Sequence, residues 1–169
     1  MSKPASATLQ VGDQAPLFTL PNQKGICVSL ADALLMGPVL LGFHRGTWCP
    51  NCRRRFGDLA LHSKAYLSLG VSVMAVVAQR SEKVKRYIED TGLPFDILID
   101  DSRDVMKIYG VWHRVGFDAW NIARPALFLI DTDRTIRYAF VAGSQFEFPE
   151  HESIMWELQK VAGGKEDCF

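Results

Sequence analysis

Two cysteines, Cys49 and Cys52, stand three positions apart in the run Phe43-His44-Arg45-Gly46-Thr47-Trp48-Cys49-Pro50-Asn51-Cys52. Thiols at this spacing can oxidise reversibly as a dithiol or supply half of a metal site. Proline is favoured at the first position of a helix, so a helix opening at Pro50 makes Cys49 its N-cap. A sulfur there faces the free N–H groups of the first turn and the positive end of the helix dipole, both of which stabilise thiolate. Cys52 then lies one turn further in, within reach of a Cys49–Cys52 disulfide. A structural zinc site takes four protein ligands. The chain has no second cysteine pair and no His-x-x-x-His, so no metal is expected. Arg45 precedes the thiols as a candidate thiolate partner, with Thr47 and Trp48 completing the loop around them.

Other reactive groups read more plainly. Arg53, Arg54 and Arg55 form a solvated helix face, with an electropositive collar around the thiols as the alternative. His44, at a strand end, is a hydrogen-bonded neighbour before it is a base. Cys27 falls in an apolar strand and is expected to be buried and inert. Cys168 is a tail thiol, with a disulfide across a homodimer as its alternative role. Phe117, Trp112 and Trp120 lie in a segment without clear periodicity, residues 112–123, expected to be a loop near the thiols.

The elements that must position the dithiol follow from pattern. Short apolar runs at 17–20 and 26–30, split by Pro21-Asn22-Gln23-Lys24-Gly25, predict a hairpin. Residues 31–36 predict a helical turn. Residues 39–43 form a continuous apolar run bounded by breakers, which predicts a buried strand ending at the cysteine loop. The helix from Pro50 should run to about residue 68 and stop at Gly70. Strands follow at 71–78, 95–99, 126–130 and 136–141, with helices at 82–91, 101–109 and 149–162. Ser81 is the expected N-cap of the first of these and Gly92 its stop. Asp131-Thr132-Asp133-Arg134 predicts a hairpin turn. The alternation predicts an α/β fold: a mixed central sheet with helices on both faces and an N-terminal β-hairpin.

The 169 residues fit one domain, 1–169, with 1–10 and 164–169 expected as flexible tails. Nineteen basic residues balance nineteen acidic ones, which leaves no global field for nucleic acid or an anionic membrane. No apolar run approaches the roughly 20 residues that span a bilayer. The first ten residues lack the apolar core of a secretory signal, so a cytoplasmic protein is expected. No G-x-G-x-x-G or phosphate-binding loop is present, and no cofactor is expected.

Val11-Gly12-Asp13-Gln14-Ala15-Pro16-Leu17-Phe18-Thr19-Leu20, Gly37-Pro38-Val39-Leu40-Leu41-Gly42-Phe43, Tyr109-Gly110-Val111 and Arg124-Pro125-Ala126-Leu127-Phe128-Leu129-Ile130-Asp131 occur in this order. With the cysteine run they make the chain resemble the peroxiredoxin-like alkyl hydroperoxide reductase/thiol-specific antioxidant family of the thioredoxin-fold superfamily. The resemblance implies a thioredoxin-like fold. It also implies reduction of a peroxide substrate by a cysteine thiolate, with recycling by thioredoxin or another dithiol reductant. Two alignments compete. Counted from Phe43 in the peroxiredoxin manner, Cys52 is the attacking cysteine, Cys49 takes the hydroxyl position and Arg45 the proline position. In the thioredoxin manner Cys49 attacks and Cys52 resolves, and Pro125, beside Arg124, forms a cis peptide against the dithiol. The helix cap favours Cys49, as the more exposed sulfur. A thiol–disulfide oxidoreductase acting on protein disulfides and a non-catalytic redox-sensing module are the alternatives to a peroxidase.

Overall fold

The structure is a computed structural model and describes residues 7–115, 120–144 and 146–163. Its core is a five-stranded sheet in the order β5-β4-β3-β8-β9. These strands are β3 (Val39–Phe43), β4 (Ser72–Val77), β5 (Ile97–Ile99), β8 (Ala126–Ile130) and β9 (Ile136–Val141). The strands β3, β4 and β5 run parallel, and β8 lies antiparallel to both β3 and β9. A central strand in such a sheet is covered on both faces, which is why β3 reads as an unbroken apolar run and is buried at all five positions.

Each face of the sheet carries its own apolar core. Leu41 and Phe43 point to the side where α1 (Leu30–Met36) and α4 (Asp104–Ile108) bring Leu30, Leu34, Val105 and Met106. On the other side α2 (Pro50–Ser68) and α5 (His151–Gly163) bring Leu59, Tyr66, Ile154 and Leu158 onto Leu40, Leu127 and Leu129. The remaining helix, α3 (Ser81–Thr91), adds Val84 to a third cluster. That cluster contains both Cys49 and Cys52, so the dithiol is built into the core at the α2–α3 junction. The mixed sheet with helices on both faces and an N-terminal hairpin, β1 (Thr19–Pro21) with β2 (Cys27–Ser29), is the expected fold.

Several local expectations are corrected. Residues 112–115 and 120–123 are not loop but β6 (Trp112–Val115) and β7 (Trp120–Ala123), an antiparallel pair. Phe117 and Cys168 lie outside the described residues, as does the side chain of Trp120. Ser81 is the first residue of α3 rather than its cap; Arg80 holds that position without a side-chain bond. Cys27 is exposed, because β2 belongs to a two-stranded ribbon that leaves its outer edge in water. The N-terminal segment is tied down from residue 8, where Thr8 Oγ1 donates to the Gly110 carbonyl at 2.9 Å and Leu9 N–H donates to the Tyr109 carbonyl.

Candidate active site

The cysteine loop leaves the carboxyl end of β3, the strand bonded along its whole length to both neighbours. His44 still donates its backbone N–H to the Val76 carbonyl at 3.0 Å; beyond it the chain turns out of the sheet. Gly46 is required here. A Cβ on it would lie 2.3 Å from the Trp48 indole nitrogen and 2.9 Å from the Gln79 amide oxygen. The turn closes with Cys49 N–H donating to the Gly46 carbonyl at 3.4 Å, and Pro50 opens α2 as expected.

Cys49 is the N-cap, with extended backbone angles of −83° and 122°, but its sulfur accepts no capping bond from the helix. A different donor takes that place. Arg45 Nη1 donates to Cys49 Sγ at 3.7 Å, and the same guanidinium lies 5.1 Å from the centre of the Trp48 ring. Arg45 is itself only 4% exposed, whereas Trp48 is 45% exposed. The expectation that the cap would leave Cys49 the more open sulfur is corrected: Cys49 is 1% and Cys52 0% exposed. The arginine folding back over the cap closes it off.

Cys52 sits in the first turn of α2. Burial pushes its thiol up to about 11; backbone hydrogen bonds from Gly46 and Arg45 oppose this, while the neighbouring Cys49 and a thiol–thiol hydrogen bond with it reinforce it. The two sulfurs are thus in contact and share one apolar cluster, and they differ in their polar partners: Cys49 accepts from the Arg45 guanidinium, whereas Cys52 accepts from the Gly46 and Arg45 backbone.

Thr47 is fixed at every polar atom. Its N–H donates to Gln79 Oε1 at 2.8 Å, its hydroxyl accepts from Gln79 Nε2 at 2.7 Å, and its carbonyl accepts from Arg53 Nε. Arg53 and Arg54 are exposed, as a solvated face requires, but Arg55 is 2% exposed, which corrects the reading of all three as solvated. Its position on α2 turns it inward, where Nη2 donates to the Glu147 carbonyl at 2.7 Å and the guanidinium lies over Phe148. Burial holds this guanidinium below its ordinary range, while Cys52 and then Cys49 draw it back up by attraction. His44 is fully buried, 4.5 Å from the Phe56 ring, and neither ring nitrogen has a hydrogen-bond partner among the described residues. A side chain at position 42 would collide with that imidazole, at 2.6 Å, which accounts for Gly42 inside a strand. Burial, with Arg55 adding to it, lowers His44 to about 3, so it stands neutral and is a poor base.

The AhpC/TSA family model matches residues 11–139. The chain belongs to the AhpC/TSA family. It is 30% identical over 150 residues to peroxiredoxin Bcp of Escherichia coli K12, covering 87% of this chain and 93% of that protein. It is 32% identical over 105 residues to the thiol-disulfide oxidoreductase ResA of Bacillus subtilis, covering 62% of this chain and 58% of that one. Among solved structures, peroxidoxin BcpB from Mycobacterium tuberculosis shares the fold with a TM-score of 0.81 at 21% identity, over 90% of this chain and 98% of that one. This AhpC/TSA member is therefore a peroxiredoxin-like oxidoreductase. The longer match to Bcp favours thiol peroxidase chemistry over the disulfide exchange named for ResA.

Within this AhpC/TSA chain the thioredoxin-type expectation at Pro125 fails. The described residues contain no cis peptide, so Arg124–Pro125 is trans. Pro125 is buried and its carbonyl accepts the Ala142 N–H at 2.8 Å, extending the β8–β9 pairing, which an ordinary trans bond satisfies. Arg124 bonds to His113 Nε2 at 2.6 Å. The structure therefore gathers Arg45, Thr47, Trp48 and Cys49 in the loop with Pro50 and Cys52 in the first turn of α2, and engages Arg124 with His113. Among the described residues no cluster of three or more His, Cys, Asp or Glu could hold a metal ion, and no helix is long and apolar enough to cross a membrane.

Two participants escaped sequence reasoning: Gln79 and the inward turn of Arg55. Gln79 had a usable signal, since loops at the carboxyl ends of adjacent parallel strands lie side by side, and Gln79 follows β4 as the cysteine loop follows β3.

Proposed function

We propose that the chain reduces hydrogen peroxide or an alkyl hydroperoxide with Cys49 as the attacking sulfur and Cys52 as the resolving one, and that thioredoxin or a similar dithiol in the cytoplasm recycles it. The observation that carries this order is the hydrogen bond from the Arg45 guanidinium to Cys49, set beside the burial that pushes the Cys52 thiol up. Thiolate, not thiol, is the nucleophile, and a neighbouring cation favours it.

The Cys49 thiolate attacks the terminal oxygen of the peroxide. The O–O bond breaks, sulfur becomes a sulfenic acid, and the departing alkoxide or hydroxide takes a proton and leaves as alcohol or water. Arg45, spanning Cys49 and the exposed Trp48, can donate to the peroxide oxygens as charge develops on the leaving one. Cys52 sulfur then attacks Cys49 sulfur. The S–O bond breaks, hydroxide leaves as water with the Cys52 proton, and a disulfide closes across one helical turn. A dithiol restores both thiols by exchange, supplying two electrons and two protons.

Single-turnover oxidation of Cys→Ser variants with a dimedone-type trap tests the order. Cys52→Ser should accumulate a sulfenic acid on Cys49, and Cys49→Ser should lose peroxide turnover with no comparable label on Cys52. Labelling of Cys52 alone would reverse the two roles, as counting from Phe43 in the peroxiredoxin manner requires.

A further inference from the structure

We propose that Gln79 is a positioning residue for the peroxidase reaction, a two-point clamp on Thr47 that holds the 45–49 turn so that Arg45 meets Cys49. The inference rests on Cys49 being the attacking sulfur.

Gln79 sits in the loop between β4 and α3, outside the cysteine run, and its side-chain hydrogen bonds go to Thr47. Its planar amide meets Thr47 with both heteroatoms, accepting from the backbone N–H and donating to the hydroxyl, at 2.8 and 2.7 Å. Two bonds from one rigid group fix orientation as well as distance, as a single bond does not. Thr47 lies midway between Arg45 and Cys49, so rotation about its backbone would carry the two apart. The amide oxygen also stands 2.9 Å from where a Cβ on Gly46 would be, so glutamine and glycine are fitted to each other. With Arg53 holding the Thr47 carbonyl, the turn is braced from α2 on one side and from the β4–α3 loop on the other. Misplacing a reacting group by about 1 Å costs on the order of 100-fold in rate, and a brace of this kind prevents such a loss.

Gln79→Leu removes both bonds at similar volume. Gln79→Glu keeps the shape, and its carboxylate can accept from the Thr47 N–H and, after the hydroxyl rotates, from the Thr47 O–H as well. Three readouts are taken on the reduced full chain: stopped-flow oxidation by hydrogen peroxide, the pH–rate profile of iodoacetamide alkylation mapped to each cysteine by mass, and thermal unfolding. Gln79→Leu should slow oxidation by about 10- to 100-fold and move the Cys49 alkylation profile to higher pH. Gln79→Glu should recover most of the rate at alkaline pH while keeping an upward-shifted profile, because it adds a negative charge near the thiolate. A Gln79→Leu rate within twofold of the parent overturns the proposal. So does equal slowing in both variants that tracks a common loss of thermal stability. If the parent's own oxidation maps to Cys52, the assignment of Cys49 fails by itself, and the rates of the two variants still decide whether Gln79 braces the loop.

Discussion

The turn at residues 131–137 and the loop at residues 44–49 both assemble arginine and hydrogen-bonding partners at a chain reversal, on opposite sides of the solvent boundary. In the turn, Arg137 bridges Asp131 and Asp133 at 3.1 and 3.2 Å, with side-chain exposures of 45%, 16% and 58%. Thr135 hydrogen bonds, the backbone one first, hold the Asp133 carboxyl below its usual range in open water. In the cysteine loop His44, Arg45, Thr47 and, from α2, Arg55 are all under 5% exposed. The turn can lose a partner to solvent at little cost. The loop cannot, because a buried polar group without its partner bears the full desolvation penalty. Its arrangement therefore costs stability and is explained by what it does to the sulfurs.

The contrast can be broken most decisively by acid. His44 titrates near 3 in the fold against an ordinary 6.5, so the unfolded chain binds more protons between those values. Stability is then full above about pH 6.5 and falls as pH drops toward 3, by up to about 1.4 kcal/mol per pH unit. Urea unfolding of the parent and of His44→Phe at pH 7 and pH 4.5 measures this. The variant should lose about 2 kcal/mol less on acidification, and parallel losses would show that the buried imidazole is not responsible.

Arg55→Met sharpens the comparison from the side of charge. Removing a guanidinium that attracts both sulfurs should slow Cys49 alkylation at pH 7 by about 3- to 10-fold. An unchanged alkylation rate would make Arg55 a tether for the Glu147 carbonyl and nothing more. The smallest effect is expected at the turn, where Arg137→Ala should change the urea midpoint by less than about 1 kcal/mol equivalent and leave peroxide turnover untouched. A larger loss would mean that the exposed pair is not the weak one.

What the sequence disclosed tracks how local each cause is. Pro50 placed the start of α2 and Cys49 at its cap, and five apolar residues between breakers placed β3, because helix caps and buried runs are written in neighbouring residues. Arg134, at a φ of 70°, closes the turn read from Asp131-Thr132-Asp133-Arg134. The failure at Arg55 turns on partners distant in sequence, whereas those at Cys27 and at β6–β7 lie in short local ribbons. Nothing adjacent to Arg55 marks it as the inward member of three consecutive arginines; Glu147 and Phe148, over ninety positions away, decide that. Cys27 was expected inside because its strand is apolar, yet its ribbon has only one covered side. The β6–β7 ribbon was missed because His113 and Arg114 interrupt the apolar alternation that would have announced it. The site was legible as a dithiol loop; its bracing by Gln79 and Arg55 was not.

The pairing of β3 with β8 has a consequence for how the chain is born. Phe43, next to the cysteine loop, finds its partner Ala126 more than eighty positions downstream, whereas its β4 partner Val76 arrives far sooner. Contacts of such long sequence separation form late, since loop closure must be completed before they stabilise anything. On a ribosome, Cys49 and Cys52 therefore emerge well before the strand that completes their sheet. Their apolar cover does not wait for it: Phe56, Ala75, Val77, Val84, Ile97 and Ile99, which pack with the two sulfurs, all precede residue 100, so the pair can be enclosed before the sheet around it is complete.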